Sequence, residues 1–366
     1  MARNIFACVA IILLYVTFSS AAQKIGLDRI DAAVGMSATG DWPRVLMDKT
    51  AATGVKSIKV WVCWDCIDHD APSAEMPAGE NGYLVVPGIR IAGWHRYNVK
   101  ALDRVMEEAE RAGLTVTLGI HGPPRWPRGD KACDYDWGTV APCGIIQQSH
   151  FQIFRDALYD FTFYMSERYP HVEYWILYNE PNLPYAFLPE GPRLGSLLDL
   201  YMFLVYEPMS EALRDTGGAF HKLVGPEITA QDVRNDFGET RWLEDWIIPL
   251  LERYPNHFDV IGIHSYTVDA YQTLGRMERL KRALDAHPLS TQRVWVTEFD
   301  FGTEKESLTR TDMNRFINLL SLYSNQWWER SFYFSMMDRL ISADRDTFGV
   351  PKPFYRLFAF IAQHMQ

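Results

Sequence analysis

Two glutamates stand at the ends of short apolar runs. Glu180 closes Tyr174-Trp-Ile-Leu-Tyr-Asn-Glu180 and is followed by Pro181-Asn182, while Glu298 closes Val294-Trp-Val-Thr-Glu298. Runs so continuously apolar and aromatic read as strands covered on both faces, as in parallel sheets, where an unpaired charge is costly to bury. Both carboxylates are therefore expected at the rim of a sheet. Two carboxyls facing each other can cleave a glycosidic bond: one protonates the leaving oxygen, and the other attacks or activates water. A separation of about 5 to 5.5 Å goes with retention of configuration, and about 6.5 to 9.5 Å with inversion. The donor needs surroundings that favour its protonated form, which a neighbouring anion and aromatic walls supply. Asn179 is placed to hydrogen-bond a sugar hydroxyl beside the reaction centre, and Pro181 restricts the Glu180 backbone as the chain leaves the strand.

The elements that must position this pair alternate. Apolar, β-branched or aromatic runs predict strands over 33–36, 57–63, 115–120, 174–178, 223–225, 260–264, 294–297 and 331–335. Helical periodicity falls between them, over 42–52, 98–112, 151–169, 197–215, 239–254, 271–286 and 311–328, with 353–363 after the last strand. Arg111-Ala-Gly113 and Asp215-Thr-Gly217-Gly218 read as helix stop signals. Strict alternation predicts an α/β protein, a single (β/α)8 barrel over residues 23–366. The long inserts 66–96, 122–150, 181–196 and 231–240 each follow a strand and precede a helix, so they are expected as βα loops on the catalytic face. Glu180 and Glu298, from strands four and seven, then converge on one cleft.

With Asn179-Glu180-Pro181 at the fourth strand, Thr297-Glu298 at the seventh and this layout of strands, the chain resembles the retaining β-glycosidases of glycoside hydrolase clan A, with families 39 and 5 the nearest in pattern. The resemblance implies that Glu180 is the acid/base and Glu298 the nucleophile. It also implies that Tyr266, in Ile263-His-Ser-Tyr266, hydrogen-bonds the nucleophile with His264 as its companion. His121 would contact the sugar, Pro124-Arg-Trp126 would be the Pro-x-Trp that follows it, and Trp64 would be the aromatic after strand two. Two departures stand out. Strand two carries Lys59 where many relatives place an arginine that steadies the nucleophile, and a lysine has no bidentate fork. The end of strand eight reads Ser335-Met-Met-Asp338, without the tryptophan that usually floors the sugar site, so the sugar-binding subsite is expected to be unusual.

Composition narrows the partners. The chain has 366 residues, is 48% hydrophobic and carries a formal net charge of -10, which leaves no basic face for nucleic acid. A carbohydrate is the expected substrate, and no cofactor is expected. Met-Ala-Arg-Asn, the apolar stretch 5–18 and Ser19-Ser-Ala-Ala22 read as a secretory signal over 1–22, because the apolar part is shorter than the ~20 residues that span a bilayer. The mature chain is then expected outside the cytoplasm, extracellular or periplasmic, with no membrane attachment. Of the five cysteines Cys8 leaves with the signal, and the rest permit two disulfides, with Cys133 and Cys143 paired first and Cys63-x-x-Cys66 structural. Trp175, Trp242, Trp246 and Trp295 fall inside elements and are assigned to the core, whereas Trp64, Trp126 and Trp137 follow strand ends as candidate sugar platforms.

Two other functions compete. A metal-dependent barrel hydrolase would use His121, His264, Glu180 and Glu298 as ligands, but the expected first strand, Ala33-Val-Gly-Met36, lacks the His-x-His with which such sites begin. Loss of activity in EDTA, restored by a divalent ion, would favour it. A non-catalytic carbohydrate-binding barrel is compatible with Lys59 and the missing tryptophan.

Overall fold

The computed structural model describes residues 24–28, 42–68, 70–129, 145–183, 187–190, 197–235, 238–266, 270–287, 293–299, 327–334, Tyr355 and Ala359. Among these residues, eight strands pair in chain order and close on themselves: β1 (Lys24–Asp28), β2 (Ser57–Cys63), β3 (Thr115–His121), β4 (Tyr174–Ile176), β5 (Lys222–Val224), β6 (Val260–His264), β7 (Arg293–Phe299) and β8 (Arg330–Phe334). Every ladder around the ring is parallel. β5 joins β6 at Val224 and Val260, and β8 returns to β1 from Lys24↔Arg330 to Asp28↔Phe334. The (β/α)8 barrel expected from the alternation is the fold.

The first strand is a correction: it is Lys24–Asp28, and 33–36 lies outside the described residues. Lys24-Ile-Gly-Leu-Asp28 has charged ends and a central glycine, so it lacks the apolar run that marks the other strands. Long-range pairing to β2 and β8 places it instead. The intervening helices are α1 (Trp42–Ala52), α2 (Lys100–Arg111), α3 (Phe151–Arg168), α4 (197–217), α5 (242–253) and α6 (Ala270–Ala286), with a wider π turn inside α4 and another opening α5. The expected leader over 1–22, Cys133, Cys143, Trp137, Ser335 to Asp338 and nearly all of the last two expected helices lie outside the described residues.

Alternation along each strand sorts side chains into two layers. Trp61, Tyr174, Ile176, Val224, Val260, Trp295 and Phe332 fill the inside of the ring. Ile58, Val60, Leu118, Ile261, Val294 and Val296 face the helices. Full burial of each such side chain contributes roughly 1.5–3 kcal/mol, so the closed ring is a rigid base for whatever projects from its rim. Gly119 of β3 pairs with Trp61, and a Cβ at Gly119 would lie 2.5 Å from Trp61 Cζ3. The glycine thus makes room for that indole.

After β2 the chain forms the helical turn Trp64–Ile67, closed by a Cys63–Cys66 disulfide, and the hairpin Tyr83–Pro87 with Trp94–Asn98. Asp160 of α3 anchors the hairpin tip, accepting backbone N–H groups of Ile89, Arg90 and Ile91 at 3.0, 2.9 and 3.1 Å, and lies 3.1 Å from His95 Nε2. Burial works against a charged His95, but the Asp160 contact and the Asp68 carboxylate 4.0 Å from Nδ1 outweigh it and raise its pKa to about 9. A buried ion pair therefore holds this loop to the barrel.

Candidate active site

The rim residues come from six strands. Lys59 and Trp61 project inward from β2, and His121 ends β3. Glu180 lies past β4, Glu227 past β5, His264 ends β6, Tyr266 follows it, and Glu298 lies on β7. Simple alternation would turn Glu298 outward, since Trp295 faces in while Val294 and Val296 face out. A register shift resolves this. Ile263 pairs with Val296, but His264 pairs with Glu298, leaving Thr297 as an extra residue. The bulge re-aims the strand, so that Glu298 points to the cleft and Phe299 joins the outer layer.

β4 stops at Ile176, and the chain leaves it with positive φ at Tyr178 (74°) and Glu180 (43°). A left-handed backbone at a non-glycine residue costs on the order of 1–3 kcal/mol and persists where the surroundings impose it. Here Glu180 N–H donates to Glu227 O at 2.8 Å and Asn179 bridges Glu227, while Asn182 clamps the exit by exchanging hydrogen bonds with the Thr229 backbone at 2.9 and 3.1 Å.

Glu298 is enclosed by donors. Lys59 Nζ donates to Oε1 at 2.9 Å and Trp61 Nε1 donates to the same oxygen at 3.2 Å, while Tyr266 O–H donates to Oε2. His264 Nδ1 stands 3.2 Å from Glu298 Oε2 and 2.9 Å from Glu180 Oε1, so one ring nitrogen bridges the two carboxyls. The facing oxygens are thus no further apart than those two distances laid end to end. Glu180 is 9% exposed and Glu298 4%, whereas Lys59 and His264 have no exposed surface.

The electrostatics follow from this enclosure. Burial alone would raise the Glu298 pKa, but the His264 and Lys59 charges and the Tyr266 hydrogen bond outweigh it and hold the carboxyl well below its usual range. For His264 burial works toward the neutral form, yet the charges of Glu298 and Glu227 outweigh it and raise its pKa to about 10. Glu298 is thereby kept ionised and His264 protonated at neutral pH.

The structure gathers Glu180, Glu298, Lys59, His264 and Tyr266, with Asn179 beside Glu180 and the His121 ring edge-on to Trp61 at 5.3 Å. Two expected sugar contacts are not brought there. Trp64 is fully buried, stacked on Phe161 and edge-on to Phe154, and donates Nε1–H to Asp68 at 3.0 Å. Trp126 donates to the Asp68 carbonyl at 3.3 Å and packs beside His95. Following a strand end is not sufficient: the helical turn at Trp64 rolls its indole into the outer layer.

Sequence reasoning missed two residues. Trp61 reads as interior strand yet reaches Glu298. Glu227, with no exposed surface, receives Lys59 Nζ on Oε1 at 2.6 Å and stands 3.1 Å from His264 Nε2, off hydrogen-bond alignment. Its signal was a third carboxylate just past an apolar strand end, Leu223-Val-Gly-Pro-Glu227, hidden by the Gly-Pro step.

The sequence matches the family described as glycosyl hydrolase catalytic core over residues 160–347. Comparison with curated protein sequences gives no match. Among solved structures, a monomeric beta-xylosidase from Caulobacter crescentus CB15 is similar with a TM-score of 0.61 at 13% identity, over 93% of this chain and 67% of that one. A GH39 enzyme from Xanthomonas axonopodis pv. citri aligns with a TM-score of 0.60 at 12% identity, over 93% and 66%. An exo-beta-1,4-mannosidase from an Opitutaceae bacterium, strain TAV5, aligns with a TM-score of 0.55 at 14% identity, over 95% and 62%. At such identities the likeness is one of fold, and this chain spans about two thirds of those proteins.

Proposed function

Because the chain belongs to the glycosyl hydrolase catalytic core family, we propose that it is an exported retaining glycosidase that cleaves β-glycosidic bonds in an oligo- or polysaccharide by double displacement. Glu298 attacks the anomeric carbon to form a glycosyl ester while Glu180 gives its proton to the leaving oxygen. Glu180 then takes a proton from water, which displaces Glu298 and restores the enzyme. The observation that carries this reading is the single His264 nitrogen 2.9 Å from Glu180 and 3.2 Å from Glu298. One nitrogen so near both carboxyls supports the short separation that goes with a covalent intermediate.

The donors around Glu298 favour a nucleophile that is ionised before substrate arrives. Asn179 and His121 flank the pair as sugar contacts, and Trp61 joins them in place of Trp64 and Trp126. Both oxygens of Glu298, one of the four ligands a metal-dependent hydrolase would use, already accept hydrogen bonds, from Lys59 and Trp61 on Oε1 and from Tyr266 on Oε2, which favours this chemistry over metal-assisted hydrolysis. The leader over 1–22 and the Cys63–Cys66 disulfide support export to an oxidising compartment. The structural relatives include a beta-xylosidase and an exo-beta-1,4-mannosidase, which supports a β-linked substrate.

A panel of aryl β-glycosides and polysaccharides, with anomeric NMR of the first product, tests the reading. Retained configuration is expected, together with loss of turnover but not of sugar binding in Glu298→Ala. Inversion, or wild-type turnover in that variant, would overturn it.

A further inference from the structure

We propose that Glu227 is a positioning residue, the fixed counter-anion that keeps Lys59 and His264 charged and aimed at the reacting carboxyls. This inference rests on the roles proposed for Glu180 and Glu298. Glu227 is fully buried past β5, and no catalytic role in the proposed double displacement needs it. Its Oε1 serves both cations, Lys59 at 2.6 Å and His264 Nε2 at 3.1 Å, while its Oε2 has no hydrogen-bond donor among the described residues. Its backbone carbonyl accepts the Glu180 N–H at 2.8 Å, so the same residue also fixes the peptide of the acid/base.

The placement is specific. Each cation stands between Glu227 and a reacting carboxyl: Lys59 reaches Glu298 at 2.9 Å, and His264 reaches Glu180 and Glu298 through Nδ1. Charged and titratable groups facing Glu227 are Lys59 from β2, His264 from β6 and the Tyr201 phenol from α4, with Glu298 of β7 across Lys59. An ammonium and an imidazolium that close repel each other, and both are cut off from water. Without a local anion each would favour losing its proton. Lys59 lacks the fork by which an arginine could grip two carboxylates, and Glu227 supplies from below the orientation that this fork would give.

A glutamine at 227 could still accept the Lys59 hydrogen bond, so charge and shape can be separated. The test uses the full-length protein labelled with 15N, in wild type, Glu227→Gln and Glu227→Asp, with His264→Asn to assign the His264 imidazole resonances. Long-range 1H–15N spectra against pH should show His264 in Glu227→Gln titrating lower than in wild type by roughly one to three pH units, the effect of one opposite charge at this range. Glu227→Asp should track wild type. On whichever aryl β-glycoside is turned over, the alkaline limb of kcat/KM should move to lower pH in the glutamine variant. If Glu227→Gln does not fold, wild-type titration in a folded Glu227→Asp supports the charge requirement. Loss of fold in both variants, or a His264 titration unchanged in Glu227→Gln, refutes it. The NMR readout needs no substrate: turnover persisting in Glu298→Ala would sink the glycosidase reading alone, whereas an unmoved His264 would sink only this inference.

Discussion

Lys59→Met isolates the electrostatic core of the site. The substitution keeps a long flexible chain but removes an ammonium that has no exposed surface and bonds Glu227 and Glu298 at 2.6 and 2.9 Å. Deleting one partner of a buried ion pair costs roughly 3–5 kcal/mol, because the remaining charge is left uncompensated. Complete burial removes any need to discount that figure for solvent screening. With an unfolding entropy of about 2.1 cal/mol/K per residue, the 366-residue chain should lose about 4–6.5 °C in Tm at pH 7. The sign with pH is fixed by Glu298. A carboxyl held below its usual pKa contributes stability above its unfolded value, about 4.3, and loses it as pH falls through the folded value. Lys59 is one cause of that depression. The gap between wild type and variant should therefore be widest at neutral pH and narrow below about pH 4.3. Thermal melts followed by circular dichroism from pH 3 to 7 give the answer. A gap under about 1 °C at pH 7, or one that stays constant into acid, would show that Lys59 is an ordinary solvated rim charge.

Tyr266→Phe removes a donor to the Glu298 carboxylate; a hydrogen bond to a charged group is worth about 1.5–3 kcal/mol, so kcat/KM should fall about 10- to 100-fold. Since that bond helps hold the Glu298 pKa down, the acid limb of kcat/KM should move to higher pH, and an unmoved limb counts against the contact. Away from the site, His95 titrates at about 9 when folded. A group raised in this way contributes stability that is full below its unfolded pKa of about 6.5 and is lost as pH rises through the folded value. Tm of the wild type should decline between about pH 6.5 and about 9, and His95→Gln should be less stable at about pH 6 but flatter over that range. Parallel curves for the two proteins would rule out the Asp160–His95–Asp68 pairing as its source.

Barrel order was legible because most strands carry their own signal. Val60-Trp-Val62 and Val294-Trp-Val296 are β-branched and aromatic, bounded by turns, and need no partner to be recognised. β1 was not, because Lys24-Ile-Gly-Leu-Asp28 is a strand only by virtue of lying between β8 and β2. The reacting pair was legible through chemistry, since a carboxylate after an apolar run has few other uses. What sequence periodicity could not show was direction. Strict alternation turns Glu298 away from the cleft, and only the bulge against His264 turns it back. Trp61 and Trp64 were exchanged for a similar reason: the inward position beside Gly119 belongs to Trp61, while the turn closed by Cys63–Cys66 sends Trp64 to Phe154 and Phe161.

Glu227 went unread because its meaning is collective. Three carboxyls, Glu180, Glu227 and Glu298, share two cations, Lys59 and His264, so with every group ionised the cluster carries one surplus negative charge. A single added proton makes it neutral, and on the proposed roles that proton is the one Glu180 must hold before the first step. After glycosylation Glu180 has given the proton away and Glu298 is an uncharged ester, so Glu180 and Glu227 again balance the two cations. The cluster is neutral at both resting points of the cycle. Removing the charge of Glu227 breaks that balance at both, leaving a net positive site that favours loss of the His264 proton. In a cavity where the low dielectric magnifies each uncompensated charge, the third carboxylate keeps the cluster balanced while Glu180 passes from acid to base and Glu298 from carboxylate to ester.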